Sequence, residues 1–170
     1  MPIDFDQIYN SEFQYVWNFL IRMGVPRRDL RDKVHDVFEA LYRCRDRFDP
    51  SRPTRPWITG IAFRVASNLR RSASFRREVY REEVEVPTGA LDPEAVVQKM
   101  QQRSLLMRGL ESLEPDYRAV IVLHDIEGYT IPVIAEMLEV NTSTMYSRLR
   151  QGRQLLAKAI GQIRASKGGP

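Results

Sequence analysis

One cysteine and two histidines in 170 residues leave little scope for metal or redox chemistry. Cys44 has no second thiol to pair with, and His35 and His124 are too far apart in sequence to form a zinc-ligand spacing. A reducing compartment suits such a chain, so the expected location is the cytoplasm, with no cofactor. No apolar run approaches the roughly 20 residues of a membrane span. The N-terminus, MPIDFDQIYN, carries acidic residues where a secretory leader needs a basic start and an apolar stretch, so no membrane insertion is expected. There is no Gly-rich phosphate loop and no Cys/His nucleophile arrangement, which removes the usual starting points for an enzyme. Alternating patterns are also scarce: β-branched residues fall at helical spacing, and VEVP, the one strand candidate, is too short to build a sheet.

What is present is helix. A hydrophobic fraction of 43% is that of a chain that folds, and the net charge of +4 says little until its distribution is read. Residues 1–77 carry 15 basic against 9 acidic side chains, residues 78–117 carry 4 against 9, and residues 118–170 carry 7 against 4. Two basic blocks flank an acidic one.

Apolar stripes mark the helices. Phe5, Ile8, Tyr9, Phe13, Val16, Trp17, Leu20 and Ile21 form the first, which Gly24 and Pro26 stop; Leu30, Val34, Val37, Phe38, Leu41 and Phe48 form the second. FDPSRPTRP breaks the pattern with three prolines. Thr54 is placed to cap a third helix that buries Trp57, Ile58, Ile61, Ala62, Val65 and Leu69. EVYREEVEVPTGALD, residues 78–92, has four glutamates and no stripe long enough for a core, so it reads as a linker. A fourth helix starts at Asp92-Pro93, a fifth at Pro115 with Gly128 as its exit, a sixth after Thr130, and a seventh after Asn141 or Thr142, running to about Ile163. The expected fold is all-α: a module over residues 1–77 and a module over residues 93–170, joined by a flexible acidic linker over 78–92. Each module is small for one stable core, so a partner or mutual packing would help.

The last two helices have the pattern of a helix-turn-helix: a small Ala135 at the crossing, Val140 as an apolar plug in the turn, and Met145 and Leu149 facing inward. Tyr146, Ser147, Arg150 and Gln151 then face outward, flanked by Arg148 and Arg153. Arg bridges guanine O6 and N7, and Gln pairs with adenine in the same two-point way. A helical hairpin with solvated arginines fits the spacing too, so DNA binding and plain packing both stand at this point.

LRDKVHDVFEALYRCRDRFDPSRPTRPWITGIAFRVASNLRR, followed after an acidic spacer by LESLEPDYRAVIVLHDIEGYTIPVIAEMLEVNTSTMYSRLRQGRQLLAKAI, resembles a bacterial RNA polymerase sigma factor of the extracytoplasmic-function group. The resemblance covers about residues 5–163. It implies a transcription initiation factor whose first module binds a coiled coil of the core polymerase clamp and melts the −10 element. The second module would lay its last helix in the major groove of the −35 element. Carried onto this sequence, −35 contact falls to Tyr146, Ser147, Arg148, Arg150, Gln151 and Arg153. Contact with −10 DNA, part of it single-stranded, falls to Asp49, Ser51, Arg52, Arg55, Trp57, Arg64, Asn68 and Arg71. Polymerase contact falls to Asp32, Val34, His35, Asp36 and Phe38. An anti-sigma factor is the expected regulator, and the acidic linker would thread the polymerase's positive RNA channel.

The residues agree with this on physical grounds. A strand held open needs a basic groove for its phosphates and shaped pockets for its unstacked bases, and a proline-stiffened loop with Arg47, Arg52, Arg55 and Trp57 supplies both. Trp57 has a second reading as core packing at a helix start, and Arg52 and Arg55 as solvated loop charges. Departures from the family pattern are Lys33 for the usual Leu, His35 for Gln, Arg64 for Asn, and Tyr146 and Gln151 for residues that are often basic. They leave the −35 sequence open. Two further readings remain: a stand-alone helix-turn-helix regulator, which needs a self-complementary surface, and a sigma-like decoy that binds a regulator without DNA.

Overall fold

A computed structural model describes residues 4–49, 51–72 and 93–167. Among these residues there are helices and turns and no strand. The linker expected over 78–92, and Asp92 as a cap, lie outside the described residues. In chain order the helices are α1 Phe5–Arg22, α2 Arg27–Arg43, α3 Thr54–Arg71, α4 Pro93–Glu111, α5 Pro115–Ile121, α6 Ile131–Leu138 and α7 Thr142–Lys167.

Asp4 opens α1 by accepting from the Gln7 amide at 3.0 Å. Gly24, at φ +84, closes it, with the Gly24 amide on the Ile21 carbonyl and the Val25 amide on the Leu20 carbonyl, a glycine-terminated Schellman ending. The chain turns straight into α2, and Val16, Phe19 and Leu20 of α1 meet Leu30, Val34, Val37, Phe38 and Leu41 of α2 in one core. Two expectations about this module need correction. Phe48 is not on the second helix: α2 ends at Arg43, a 3-10 turn covers Arg45–Arg47, and Phe48 lies against Trp57 with ring centroids 4.7 Å apart. Thr54 does not cap α3 but forms its first residue, after Pro53, with no side-chain capping bond.

The stripe expected on α3 is too narrow. Ile58, Ile61 and Ala62 are buried as expected, and so are Thr59, Gly60, Ala66 and Ser67. The reason is that α3 packs on α1 and α2 on one side and on α5 and α6 on the other. The two modules therefore share one interface and one continuous core.

In the second module α5 runs without a break into a wider π turn over Val122–Ile126, in which the Glu127 amide reaches the Val122 carbonyl at 3.0 Å. Gly128, at φ +79, then redirects the chain. Thr130 stands before α6 as expected but makes no side-chain capping bond. α6 ends in a second Schellman motif whose left-handed residue is Glu139, at φ 56, with Val140 bonding back to Ala135 at 2.9 Å. A non-glycine residue there carries a small strain. α7 packs on α4, α5 and α6 and continues past Ile163 to Lys167.

Candidate nucleic-acid interface

The helix-turn-helix is built on α6 and α7. Ala135, Met145 and Leu149 are buried and Val140 is half-buried in the turn. Gly152, absent from the sequence-based expectation, lets α7 lie on α5. A side chain there would meet Ile121 Cγ1 at 3.3 Å and the Tyr117 carbonyl at 3.4 Å. This packing turns Tyr146 (58% exposed), Ser147, Arg150 and Gln151 to solvent on one face.

The two flanking arginines behave differently. Arg153 grips Asp125 through two nitrogens, Nε at 2.9 Å and Nη2 at 2.5 Å, and His124 Nδ1 shares the same carboxylate at 2.7 Å. The arginine, and then the histidine, hold the Asp125 carboxyl below its ordinary range. Arg148 Nη2 meets Asp116 Oδ2 at 2.9 Å. Both guanidinium groups are thus drawn back onto their own module.

In the first module most of the expected −10 residues have acidic partners, several of them across the module boundary. Arg52 pairs with Glu136, Arg64 with Glu139 at 2.5 Å, and Arg71 with Asp116 at 2.8 Å. Arg55 stays inside its module: it forks onto Glu12 at 2.8 and 3.3 Å and lies over the Tyr15 ring at 4.7 Å. Ser51 donates to Asp49 from its hydroxyl at 2.7 Å and its amide at 3.0 Å, which folds the loop tightly and lowers the Asp49 pKa. Asn68 is exposed, and Trp57 is half-buried against Phe48. These two aromatic residues help line a cleft of about 740 Å³ between the modules, opposite Val133 and Met137 of α6.

The expected polymerase face is smaller than the sequence implied. Asp32 and His35 are exposed and Asp36 is half-exposed, held by Lys33 at 2.6 Å. Val34 (2% exposed) and Phe38 (3% exposed) point the other way, into the core. Their place on the contact surface is corrected by their own helix. Positions 34 and 38 lie four apart on the buried stripe, while 32, 35 and 36 fall on its flank.

Sequence reasoning missed the groups that join the modules. Glu127 accepts from the Tyr15 hydroxyl at 2.7 Å and from Arg22 Nη1 at 3.0 Å. Burial, with the nearby Glu127 charge adding to it, pushes the Tyr15 phenol well above its ordinary pKa, so it remains a donor. Arg118 is fully buried, its Nε on the Arg22 carbonyl at 2.5 Å and its Nη1 on the Leu110 carbonyl at 3.2 Å. One side chain thereby satisfies the C-terminal carbonyls of α1 and α4, one in each module. Burial first, and the adjacent Arg70 charge second, pull its pKa down to about 9, which leaves it cationic at neutral pH.

Two sequence families match the chain, one in each half. The family described as Sigma-70 region 2 matches residues 8–76, and that described as Sigma-70, region 4 matches residues 103–156. The ECF RNA polymerase sigma factor SigE of Mycolicibacterium smegmatis is 28% identical over 92% of this chain and 61% of its own length, so the chain spans about three-fifths of that relative. The ECF RNA polymerase sigma-E factor of Escherichia coli K12 is 28% identical over 87% of this chain and 82% of its own. The chain belongs to the extracytoplasmic-function sigma factors.

The fold of this sigma factor is likewise that of a solved relative. The Bartonella quintana sigma factor RpoE, crystallised with the anti-sigma factor NepR, superposes with a TM-score of 0.66 at 19% identity, over 93% of this chain and 97% of the other. One signal for the missed groups was present in the sigma factor's own sequence: Arg118 stands in YRAVIVL, a lone charge in an apolar run.

Proposed function

We propose that this sigma factor brings core RNA polymerase to defined promoters from the cytoplasm, reading the −35 element with α7 and holding the melted −10 element with the loop from Asp49 to Arg55 and the outer face of α3. The observation that carries the reading is the exposed set Tyr146, Ser147, Arg150 and Gln151, presented on one side of a helix whose other side is locked by Met145, Leu149 and Gly152. A helix fixed in this way can enter a major groove without losing its orientation. Arg148 and Arg153 would join it once phosphate oxygens compete with Asp116 and Asp125. The module boundaries proposed are 1–77 and 93–170.

Polymerase contact is assigned to Asp32, His35 and Asp36, an acidic and polar face fit for the basic and polar flank of a coiled coil. Control by an anti-sigma factor is supported by the relative crystallised with one. The deciding experiment is run-off transcription by purified core polymerase with this chain on a pool of promoter fragments. Discrete start sites are expected; random initiation, or none, would overturn the reading, and a palindromic footprint by the chain alone would point to a stand-alone regulator. Within that assay Arg150→Ala is expected to cost about 1–3 kcal/mol of promoter binding and to relax the choice at one −35 base pair. An unchanged base preference would remove Arg150 from direct readout.

A further inference from the structure

We infer that Asp125 and His124 are positioning residues for Arg153: they hold it back from the DNA backbone while the imidazole is neutral and release it when the imidazole is protonated. This deepens the promoter reading and rests on it. Arg153 follows Arg150 by three residues and Tyr146 by seven, so it lies on the same face of α7, about 10 Å further from the helix start. Base edges are met by the first turns of a reading helix. A long cationic side chain beyond them is placed for the phosphates at the groove's edge.

The restraint on that side chain is built from one carboxylate. Asp125 takes Arg153 Nε at 2.9 Å on Oδ2 and Arg153 Nη2 at 2.5 Å on Oδ1, and the same Oδ1 takes His124 Nδ1 at 2.7 Å. An ionised carboxylate only accepts, so Nδ1 carries the proton of the neutral ring and Nε2 receives the second one. Nδ1 also stands 3.4 Å from Arg153 Nη2. Once the ring is charged, two cations press on one oxygen and repel each other. His124 is the sequence neighbour of Asp125 and stays. Arg153, with a side chain 53% exposed on a flexible stem, is the one that leaves.

Other charges near the turn are committed elsewhere. Among the described residues, Arg153 and His124 are the charged groups that act on Asp125. Glu127 is turned to Tyr15 and Arg22, Asp116 of α5 to Arg71 and Arg148, and Glu136 of α6 to Arg52. Arg148 is the internal contrast, because its carboxylate is shared with an arginine and not with a ring that titrates. Imidazoles change charge between about pH 5 and pH 8. DNA favours the protonated ring, so binding takes up a proton and affinity rises as the pH falls through that range.

The test measures polarisation of a fluorescein-labelled duplex of mixed sequence at low salt, since phosphate contact does not depend on sequence. The full chain should bind about fivefold more tightly at pH 6 than at pH 8, with a salt slope steeper by about one ion. His124→Asn keeps a donor at the Nδ1 position without titrating, and should bind at both pH values as weakly as the wild type does at the higher one. Asp125→Asn should bind tightly at both, and Arg153→Gln weakly at both. All three side chains are at the surface, so thermal melting should be nearly unchanged.

Equal wild-type affinity at the two pH values overturns the inference. A pH effect that survives in Arg153→Gln does so as well, because it would make His124 a phosphate ligand in its own right. Weaker binding by Asp125→Asn at the higher pH would show that the carboxylate supports Arg153 and does not restrain it, which is also a refutation. Failure of the wild-type chain to direct core polymerase to start sites is a different result, and it strikes the promoter reading itself.

Discussion

Phe38→Ala is expected to destabilise the first module by about 3–5 kcal/mol, enough to lower the melting temperature by on the order of 10 °C. The ring is 3% exposed and packs against three others, with centroids 6.4 Å from Phe5, 4.6 Å from Tyr9 and 6.5 Å from Phe13. Truncation would leave a cavity among rigid aromatic side chains that cannot collapse far into it. Thermal unfolding by circular dichroism checks the loss, and His35→Ala is the companion. That side chain is exposed, so its removal should move stability by no more than about 0.5 kcal/mol. A drop in polymerase affinity for His35→Ala at unchanged melting would report a contact. The reverse pattern, with Phe38→Ala stable but defective in polymerase binding, would refute the inward orientation of Phe38.

Arg118→Ala is expected to cost about 2–4 kcal/mol, because one buried and one part-buried carbonyl lose a charge-assisted partner and a large side-chain volume empties. The opposing term is relief from burying a cation, which keeps the loss below the sum of those two effects. The carbonyls belong to Arg22 at the end of α1 and Leu110 in the last turn of α4. The damage should therefore include the joint between the modules as well as the core of either. Urea unfolding followed by tryptophan emission, which reports Trp17 and Trp57 of the first module, should show a lower midpoint. Arg118→Lys should recover part of the loss and no more, since an ammonium group keeps the charge without the planar fork that reaches both carbonyls. Full recovery by lysine would mean that charge alone, and not the two-sided geometry, holds the joint.

The helices of this protein were legible because their signals are local. Val16, Phe19 and Leu20, or Leu30, Val34 and Leu41, recur at three- and four-residue intervals, and that spacing by itself puts them on one side of a helix. Ala135, Val140, Met145 and Leu149 gave the helix-turn-helix for the same reason, and the exposed group from Tyr146 to Gln151 followed from it. Val34 and Phe38 belong to the buried stripe of α2, so a motif that counts them among surface residues conflicts with the helix's own periodicity. The π turn that delivers Glu127 to Tyr15 and Arg22 had no signature in composition or periodicity.

The sequence by itself determined the all-helical character, the two blocks and the face that α7 offers, since each depends on residues within a few turns of one another. Tertiary structure alone decided that α3 is covered on both sides, that Arg118 ends up without water, and that Arg52, Arg64 and Arg71 answer to Glu136, Glu139 and Asp116. Those pairings join residues 45 to 84 positions apart. No local preference of the chain specifies a partner at that distance; the packing of one helix against another brings the charges within reach.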